Sequence, residues 1–248
     1  MPSRRRQTGG WRGVRPFRVA RKAVESSEIT SFYLAPVDGG PVIAHQAGQY
    51  IGLQLQIAGT EHRRNYSLSA AADGVQLRIS VKREAGGVVS GYLHDQVVPG
   101  DTLQVYPPAG HFTLQPGNKP LVLISGGVGI TPTLAMLSDA IPSGRPIHFI
   151  HCARNHQVHA FKDAVDALAK QHPQVRAYYC YEHSSDYSRP HATGWLDQQI
   201  LSKWLPDTRD VDAHFLRPKP FMVAVKRNLQ ALGVPPQQTH YESASASQ

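Results

Sequence analysis

A glycine-rich turn in the middle of the chain has the residue types that hold a phosphate. In LISGGVGITPTLAML, residues 123–137, a short apolar run stops at glycines and a helical pattern follows. Glycines let the backbone approach a pyrophosphate, and the N-terminus of the next helix supplies N–H groups and a positive dipole end. The spacing Gly127-x-Gly129-x-x-Pro132 therefore predicts an anion cradle. The alternative is a tight β–α connection that binds no ligand.

Two residues of this turn are assigned to the start of the helix. Proline suits a first helical turn because the N–H that it lacks would have no partner within the helix. A threonine hydroxyl can accept a hydrogen bond from a first-turn N–H. The sequence therefore predicts that Pro132 lies in the first turn and that Thr131 caps it.

A second group of chemically capable residues lies earlier, in RRNYSLS, residues 63–69. Arg64 can pair with a phosphate through its planar guanidinium, and Tyr66 offers a flat face to an aromatic ring. Ser67 can hydrogen-bond a ring nitrogen or carbonyl. The pattern predicts a polar-aromatic strand that binds a ligand, and an exposed edge strand with no ligand is the alternative.

The stretch SVKREAGGVVSGYLH, residues 80–94, adds more anion-binding chemistry downstream of that strand. It contains the basic pair Lys82 and Arg83, a Gly-Gly turn ending at Gly87, and Ser90 at a helix start. Basic side chains and a helix N-terminus both attract phosphate. The sequence therefore predicts a second anion cradle, in a different domain from the first.

The elements that must position these residues follow two patterns. Residues 17–114 alternate apolar and polar side chains with a period of two, and Gly and Pro separate the runs. This predicts an antiparallel barrel or sandwich, interrupted by one short helix over residues 90–97. From residue 117, short apolar runs alternate with helical segments, which predicts a parallel sheet covered on both faces.

We therefore predict a β + α/β architecture, with an antiparallel barrel followed by a doubly wound parallel-sheet domain. The predicted organisation is a basic tail over residues 1–13, the barrel over 14–116 and the α/β domain over 117–248. In the α/β domain, the predicted strands are 121–125, 147–152, 175–181 and 213–216, and the predicted helices are 132–141, 160–171, 195–205 and 221–232.

Composition and charge exclude several classes of protein. The 248 residues are 41% hydrophobic and 18% charged, which is typical of a folded globular chain. The net charge is +8, but the basic residues are scattered, which favours a small anionic ligand over nucleic acid. No apolar run is long enough to span a bilayer, and the basic residues at 4–6 precede no secretory signal core.

The cysteines and histidines form no recognisable metal or disulfide pattern. Cys152 and Cys180 give neither a disulfide framework nor a metal-ligand spacing, so a reduced, cytoplasmic protein is the expectation. The 13 histidines lack Cys, Asp or Glu neighbours at ligand spacing. We therefore expect no metal site, and we expect surface or capping positions for histidines such as His148, His151 and His159.

The Arg-x-Tyr-Ser strand, the Gly-x-x-Ser helix start and the Gly-x-Gly-x-x-Pro turn together resemble the ferredoxin-reductase superfamily. In that superfamily a barrel holds a flavin and an α/β domain holds NAD(P)H. More narrowly, GGWRGVRPFRV, AGQYIGLQL, ISGGVGITP, HCARNHQVHAF and HYE look like the reductase portion of flavohemoglobins, over residues 9–242. That family joins the portion to a haem-binding globin and oxidises nitric oxide to nitrate. We expect no haem on this chain, because nothing before Gly9 could be a globin.

The resemblance implies FAD as the cofactor and NADH or NADPH as the co-substrate. The implied FAD contacts are Tyr50, Arg64, Asn65, Tyr66 and Ser67, with Lys82, Gly87, Val89 and Ser90 along its pyrophosphate. The implied NAD(P)H contacts are Gly127, Val128, Gly129, Ile130, Thr131 and Pro132, with Arg154 on the same rim. The residues assigned to catalysis are Tyr66, Ser67 and Glu242, and none of them need act as an acid or base.

Two departures from the family pattern leave two functions open. The family has Cys-Gly-Pro near the nicotinamide, where this sequence has Leu216, Arg217 and Pro218, and a terminal aromatic that is absent after Glu242. An arginine where glycine allows close backbone approach is expected to crowd the nicotinamide. One hypothesis is an NAD(P)H oxidoreductase that passes electrons through FAD to a globin, another haem or metal centre, or a small acceptor. The other is a non-catalytic or impaired flavin- or nucleotide-binding module that docks to a partner.

Overall fold

The computed structural model describes residues 8–185 and 189–242, which divide into two compact units. The first unit ends at Thr113 and the second begins at Leu114, close to the point where the sequence changes its period. The predictions made for the basic residues 4–6 and for the sequence after Glu242 lie outside the described residues.

The first unit is a six-stranded antiparallel sheet in the order β4-β3-β6-β1-β2-β5. A bridge between Leu68 and Ile79 joins the chain after β4 to β5, so the two edge strands meet and the sheet curls into a half-barrel. The predicted antiparallel domain is therefore confirmed. Its elements are β1 (Arg15–Val24), β2 (Ile29–Pro36), β3 (Tyr50–Ile57), β4 (Thr60–Ser67), β5 (Leu77–Lys82), α1 (Val88–Asp95) and β6 (Thr102–Val105).

Alternation along the strands explains which side chains fill this half-barrel. In β3, Ile51, Leu53 and Leu55 are buried, whereas Gln54 and Gln56 between them are more accessible. Successive side chains of a strand point to opposite faces, so one face of β3 lies against the core. The predicted helix of this unit, over residues 90–97, is displaced by two residues and spans residues 88–95.

The second unit is a six-stranded sheet in the order β10-β9-β8-β7-β11-β12, in which every described pairing is parallel. The chain enters at β7 in the middle, moves outward through β8 and β9, and returns to β11 on the other side of β7. Its elements are β7 (Leu121–Gly126), α2 (Ile130–Ala140), β8 (Ile147–Ala153), α3 (Lys162–Gln171), β9 (Val175–Tyr181), β10 (Ala192–Thr193), α4 (Gln198–Trp204), β11 (Asp212–Leu216), α5 (Lys219–Ala231) and β12 (Thr239–Tyr241).

This strand order confirms a doubly wound α/β unit and identifies where a ligand would bind. All six residues of β7 are buried, as expected for a central parallel strand with helices on both faces. The order reverses between β7 and β11, and such sheets bind ligands outside the carboxyl ends of the strands at that switch point.

All four helices of the second unit, and three of its strands, begin or end one to three residues from their predicted bounds. Helix α4 begins after Asp197, whose carboxylate accepts a hydrogen bond of 2.8 Å from the N–H of Ile200. Trp195, predicted to lie within this helix, precedes it and is 77% exposed. No helix in the described residues is long and apolar enough to cross a membrane.

Candidate functional site

Arg64 and Tyr66 lie on the same face of β4, opposite the buried residues Leu53 and Ile51 of β3. Tyr66 packs against the hydrophobic core. Burial raises the pKa of its hydroxyl to about 12, and the charges of Arg64 and Glu84 also act on it. The phenol is therefore protonated at neutral pH, and both β4 and the turn containing Glu84 lie within electrostatic reach of the Tyr66 ring.

The other predicted flavin contacts on these strands, Tyr50, Asn65 and Ser67, occupy the opposite face. Tyr50 lies directly across from Ser67, and Asn65 lies across from Gly52. A Cβ on Gly52 would come within 3.2 Å of the Asn65 Oδ1 atom, so the glycine leaves room for that amide against the sheet. The five strand residues therefore split between two faces.

The turn from β5 into α1 brings the remaining predicted FAD residues together. Gly87 is the N-cap residue of α1, and no side chain caps this helix end. The first-turn N–H groups therefore have no side-chain partner and the helix dipole is uncovered. Ser90 Oγ instead accepts a hydrogen bond of 3.0 Å from the N–H of Glu84, which closes the turn. A Cβ on Gly87 would lie 2.5 Å from Ser90 Oγ, so glycine fits this position.

Lys82 and Val89 contribute to this turn in different ways. Val89 is 1% exposed, so its side chain belongs to the core and only its backbone can meet a ligand. Arg83 forms an ion pair with Asp95. Within the described part of the chain no ion pair involves Lys82, which leaves its ammonium group available to an anion at the end of β5.

The glycine turn lies at the switch point of the second unit. Strand β7 ends at Gly126, a 3-10 turn covers Gly127–Gly129, and α2 begins at Ile130. The predicted cap is wrong: Thr131 lies inside the helix and its hydroxyl donates to the Val128 carbonyl at 3.1 Å. The N-cap residue is Gly129, and it makes no side-chain capping bond. The 3-10 turn winds the chain early, so helical geometry begins before the threonine.

The polar groups that this turn could offer a ligand belong to its backbone, because its partly exposed side chain, Val128, is apolar. Ile130, Thr131 and Pro132 are buried, whereas Gly127 is exposed. A Cβ on Gly129 would lie 2.7 Å from the carbonyl oxygen of Leu216, at the end of β11. The turn after β7 therefore touches β11, and a phosphate here would be held by backbone N–H groups.

Three charged residues follow neighbouring strands on the same rim. Arg154 is exposed after β8, and its carbonyl accepts a hydrogen bond of 2.8 Å from the N–H of His183. Glu242 follows β12, and burial raises the pKa of its carboxyl group despite the positive charge of Arg217. Arg217 has a φ of 42°, in the left-handed region that favours glycine. The residue expected to crowd the nicotinamide thus occupies a glycine-type backbone position.

Sequence reasoning missed a buried polar chain behind the glycine turn. His151 Nδ1 lies 2.8 Å from Ser125 Oγ, and the His151 and His159 ring centroids are 4.8 Å apart. His159 Nδ1 in turn lies 2.5 Å from the Tyr181 hydroxyl oxygen. Because Ser125 precedes the turn by one residue of β7, this chain holds the base of the turn in place.

Surface or capping positions were the expectation for these histidines, and that prediction is wrong. His148, His151 and His159 are 8%, 0% and 5% exposed. Burial lowers the pKa of His159 to about 4 and holds the pKa of His151 well below its usual value, so both imidazoles are neutral at pH 7. The one available signal was the alternation of β8, which puts residue 151 on the same face as the buried residue 149. Across residues 8–185 and 189–242, no three metal-ligating side chains are grouped to hold a metal.

Two families of domains match the chain. Residues 16–114 match the oxidoreductase FAD-binding domain, and residues 123–226 match the oxidoreductase NAD-binding domain. The first match includes β3, β4 and the turn into α1, and the second includes the glycine turn. FAD and a nicotinamide dinucleotide, the two ligands implied by the sequence, are therefore confirmed for this chain.

Flavohemoproteins from two bacteria match nearly the whole of this chain. Over 234 residues the chain is 62% identical to the flavohemoprotein of Pseudomonas putida, covering 94% of this chain and 60% of the relative. It is 45% identical over 250 residues to the flavohemoprotein of Deinococcus radiodurans, covering 98% and 62%. The chain thus spans about 60% of the length of these relatives.

Among solved structures, the flavohem-like FAD/NAD-binding domain of nitric oxide dioxygenase from Vibrio cholerae matches with a TM-score of 0.85 and 35% identity. That match covers 93% of this chain and 98% of the other. The correspondence therefore includes both units, and not one dinucleotide-binding domain alone.

Proposed function

Because the chain belongs to the family of flavohemoprotein FAD- and NAD-binding modules, we propose that it moves electrons from NADH or NADPH through FAD to a one-electron acceptor. The acceptor proposed is a globin haem or another haem or metal centre, as in a nitric oxide dioxygenase. The observation that carries the proposal is that each unit has a helix whose N-terminus lacks a side-chain cap, in a segment matched to a dinucleotide-binding domain.

The residues of the first unit fit FAD. When bound, FAD supplies hydride acceptance and the release of single electrons. The N–H groups of the first turn of α1 and the Lys82 ammonium would hold its pyrophosphate, and Arg64 would pair with a phosphate oxygen. Tyr66 would support the flavin ring with its face, and Ser67 would donate a hydrogen bond to the ring. Tyr50 and Asn65 would complete the contacts from the opposite face of β4 and β3.

The residues of the second unit fit a nicotinamide dinucleotide. The N–H groups of the turn Gly127–Gly129 would hold its pyrophosphate, since the Ile130 N–H already donates to the Gly127 and Val128 carbonyls, and Arg154 on the rim would contact a phosphate or ribose. Glu242 and the backbone at Arg217 would position the nicotinamide. In this proposal Tyr66, Ser67 and Glu242 orient the reacting groups, and none of them transfers a proton.

Anaerobic reduction of the bound flavin tests this function directly. Purified chain reconstituted with FAD should be yellow and should bleach on mixing with NADH or NADPH, at a rate far above that of free FAD. Oxidised cytochrome or a globin added afterwards should restore the yellow colour. A chain that takes up no FAD contradicts the proposal. The reaction is proposed for the cytoplasm, where both nicotinamides are present and thiols are kept reduced.

A second candidate, a flavin- or nucleotide-binding module without catalysis, is favoured by Arg217. Its left-handed φ of 42° puts an arginine where close approach calls for glycine. Stopped-flow reduction separates the two functions: bound FAD that is reduced no faster than free FAD would establish the module and contradict the oxidoreductase.

A further inference from the structure

Two cysteines that are 28 positions apart in the sequence are direct neighbours in the second sheet. Cys152 of β8 and Cys180 of β9 are paired in the parallel register, so their side chains leave the same face. Adjacent strands lie about 4.8 Å apart, within the Cα separations of about 4.4–6.8 Å that a disulfide spans. The two thiols also interact with each other through a side-chain hydrogen bond.

The two thiols differ in exposure and in acidity. Cys152 is half-buried and Cys180 is 1% exposed, with its Sγ atom donating to the Gly194 carbonyl at 3.3 Å. The hydrogen bond between the thiols lowers the pKa of Cys180, which favours its thiolate, and raises the pKa of Cys152. Whichever sulfur is oxidised first therefore has the other cysteine as its direct neighbour.

We propose that Cys152 and Cys180 close into a reversible intrachain disulfide when the protein meets a peroxide, and that closure weakens dinucleotide binding at the neighbouring rim. The peroxide converts one of the two thiols to a sulfenic acid and is itself reduced to water. The other cysteine sulfur then attacks the sulfenic acid sulfur and displaces its hydroxyl group, which leaves with the thiol proton as a second water. The sum is two thiols and one hydrogen peroxide giving one disulfide and two waters.

The coupling to the rim follows from chain position and rests on the proposed function. Cys152 lies two residues before Arg154, and the ends of β8 and β9 are joined by hydrogen bonds from Glu182 N to Ala153 O at 3.0 Å and from His183 N to Arg154 O at 2.8 Å. Directly opposite residues on adjacent strands have Cβ atoms about 4.5–5.5 Å apart, whereas a disulfide needs its Cβ atoms about 3.8 Å apart. Closure must therefore draw the two strand ends together and move Arg154.

The spacing also makes the bond easy to reopen. A disulfide that must compress its strands stores strain, and strained disulfides are reduced more readily than relaxed structural ones. Low-molecular-weight thiols in a reducing compartment should therefore return the pair to the dithiol form, which makes the modification reversible.

Thiol counting tests the disulfide without any dependence on nicotinamide chemistry. The FAD-reconstituted chain is treated with hydrogen peroxide, denatured and titrated with a thiol reagent. We expect two thiols before treatment, none after it, a mass lower by about 2 Da, and recovery with dithiothreitol. The variants Cys152→Ser and Cys180→Ser should each form no intrachain disulfide. Retained thiols, added oxygen without thiol loss, or disulfides between two chains would each overturn the proposal.

Dinucleotide titration tests the consequence of closure. The dissociation constant for NADH or NADPH should rise about fivefold on oxidation and return with dithiothreitol. The double variant Cys152→Ser/Cys180→Ser should bind as the reduced chain does before and after peroxide. A closed disulfide with an unchanged dissociation constant overturns the coupling. If the reduced chain binds neither dinucleotide, the proposed function and the coupling both fail, while the thiol count still decides the disulfide.

Discussion

The two dinucleotide segments differ in which atoms are available to the ligand. In the first unit, the contacts proposed for the segment from Lys82 to Ser90 and for Arg64 and Tyr66 involve both side chains and backbone. In the second unit, the polar groups proposed for the turn Gly127–Gly129 are backbone groups alone, because Val128 is apolar and the side chains that follow it are buried. We refer to these as the side-chain grip and the backbone grip.

The difference predicts how each grip fails. In the side-chain grip, each contact belongs to a separate residue, so substitutions should lower FAD affinity one contact at a time. In the backbone grip, the packing contact of Gly126 and Gly129 with the chain at the end of β11 positions several N–H groups at once. Displacing that contact moves all the donors together, so one added methyl group should remove most of the binding.

The largest expected effect is therefore that of Gly129→Ala. The new Cβ would lie 2.7 Å from the Leu216 carbonyl oxygen, so the backbone of the turn must shift. Reduction of FAD by NADH or NADPH should slow about 100-fold, equivalent to about 2.7 kcal/mol, while FAD affinity stays the same. Stopped-flow reduction and flavin titration measure the two quantities.

Gly91→Ala in α1 is the matched control for that substitution. A Cβ at Gly91 would have no neighbour closer than 3.9 Å, and the position is helical. It should leave the reduction rate unchanged and raise stability by about 0.5–1 kcal/mol. Equal rates for Gly129→Ala and Gly91→Ala would show that the backbone grip does not depend on the contact with β11.

The second prediction separates two adjacent arginines of the side-chain grip. The Arg63 guanidinium lies 3.8 Å from the Tyr106 ring centroid, whereas Arg64 shares a face with Tyr66. Arg64→Ala should weaken FAD binding about 10- to 100-fold, the loss of a hydrogen bond to a charged group. Arg63→Ala should lower stability by about 0.5–1 kcal/mol through its lost cation–π contact, with little change in FAD affinity. The reverse pattern would place the phosphate on the Arg63 face.

Local pattern was sufficient to predict the architecture and to place the glycine turn between a strand and a helix. Mostly apolar runs gave β7 and β8, and period-two runs gave β3 and β5. Strand β1 was harder to bound, because a bulge between Val19 and Arg21 interrupts its alternation. The three-residue edge strand β12 is too short to show a period.

Details that depend on contacts distant in sequence could not be predicted. Thr131 was assigned as a cap because the sequence does not show the 3-10 turn that starts the helix earlier. The burial of His151 and His159 depends on partners from other strands, Ser125 and Tyr181. The pairing of Cys152 with Cys180 required the register of β8 and β9. The resemblance supplied site residues, whereas strand order supplied their neighbours.

The third prediction concerns the dependence of stability on pH, since neutral, buried histidines pack behind the backbone grip. The pKa of His159 is about 4, lowered by burial and by Lys162 and opposed by Asp166, and the pKa of His151 is also lowered by burial. An unfolded histidine titrates near pH 6.5, so below that pH the unfolded chain binds more protons than the folded chain. The free energy of unfolding should therefore decrease as the pH is lowered below about 6.5, by about 1.4 kcal/mol per pH unit for each histidine.

Chemical denaturation between pH 7 and 4.5 measures this slope. His94 in the first unit also has a pKa lowered by burial, but it is only half-buried. As the pH is lowered, binding of NADH or NADPH by the second unit should therefore be lost at a higher pH than binding of FAD by the first unit. His159→Gln removes one titrating group and should reduce the slope by about 1.4 kcal/mol per pH unit. A slope unchanged by this substitution would assign the acid sensitivity to other groups.

The smallest effect expected is that of Arg217→Gly, and it bears on whether the backbone grip is impaired. Arg217 has a φ of 42°, and glycine adopts that region without the penalty of about 1 kcal/mol that a side chain incurs. Ala58→Gly is the matched control in the first unit, because Ala58 has a φ of 49° in an exposed turn between β3 and β4. Both should gain up to about 1 kcal/mol of stability.

Of these two glycine variants, only Arg217→Gly should also speed reduction of FAD. The Arg217→Ala variant then shows whether the side chain or the backbone conformation is responsible. The alanine variant removes the long side chain but keeps the left-handed strain, so a faster rate in both variants identifies crowding of the nicotinamide. A faster rate in the glycine variant alone identifies the backbone conformation. If neither variant is faster than the parent chain, Arg217 does not limit the backbone grip, and the case for a non-catalytic module loses the observation that favours it.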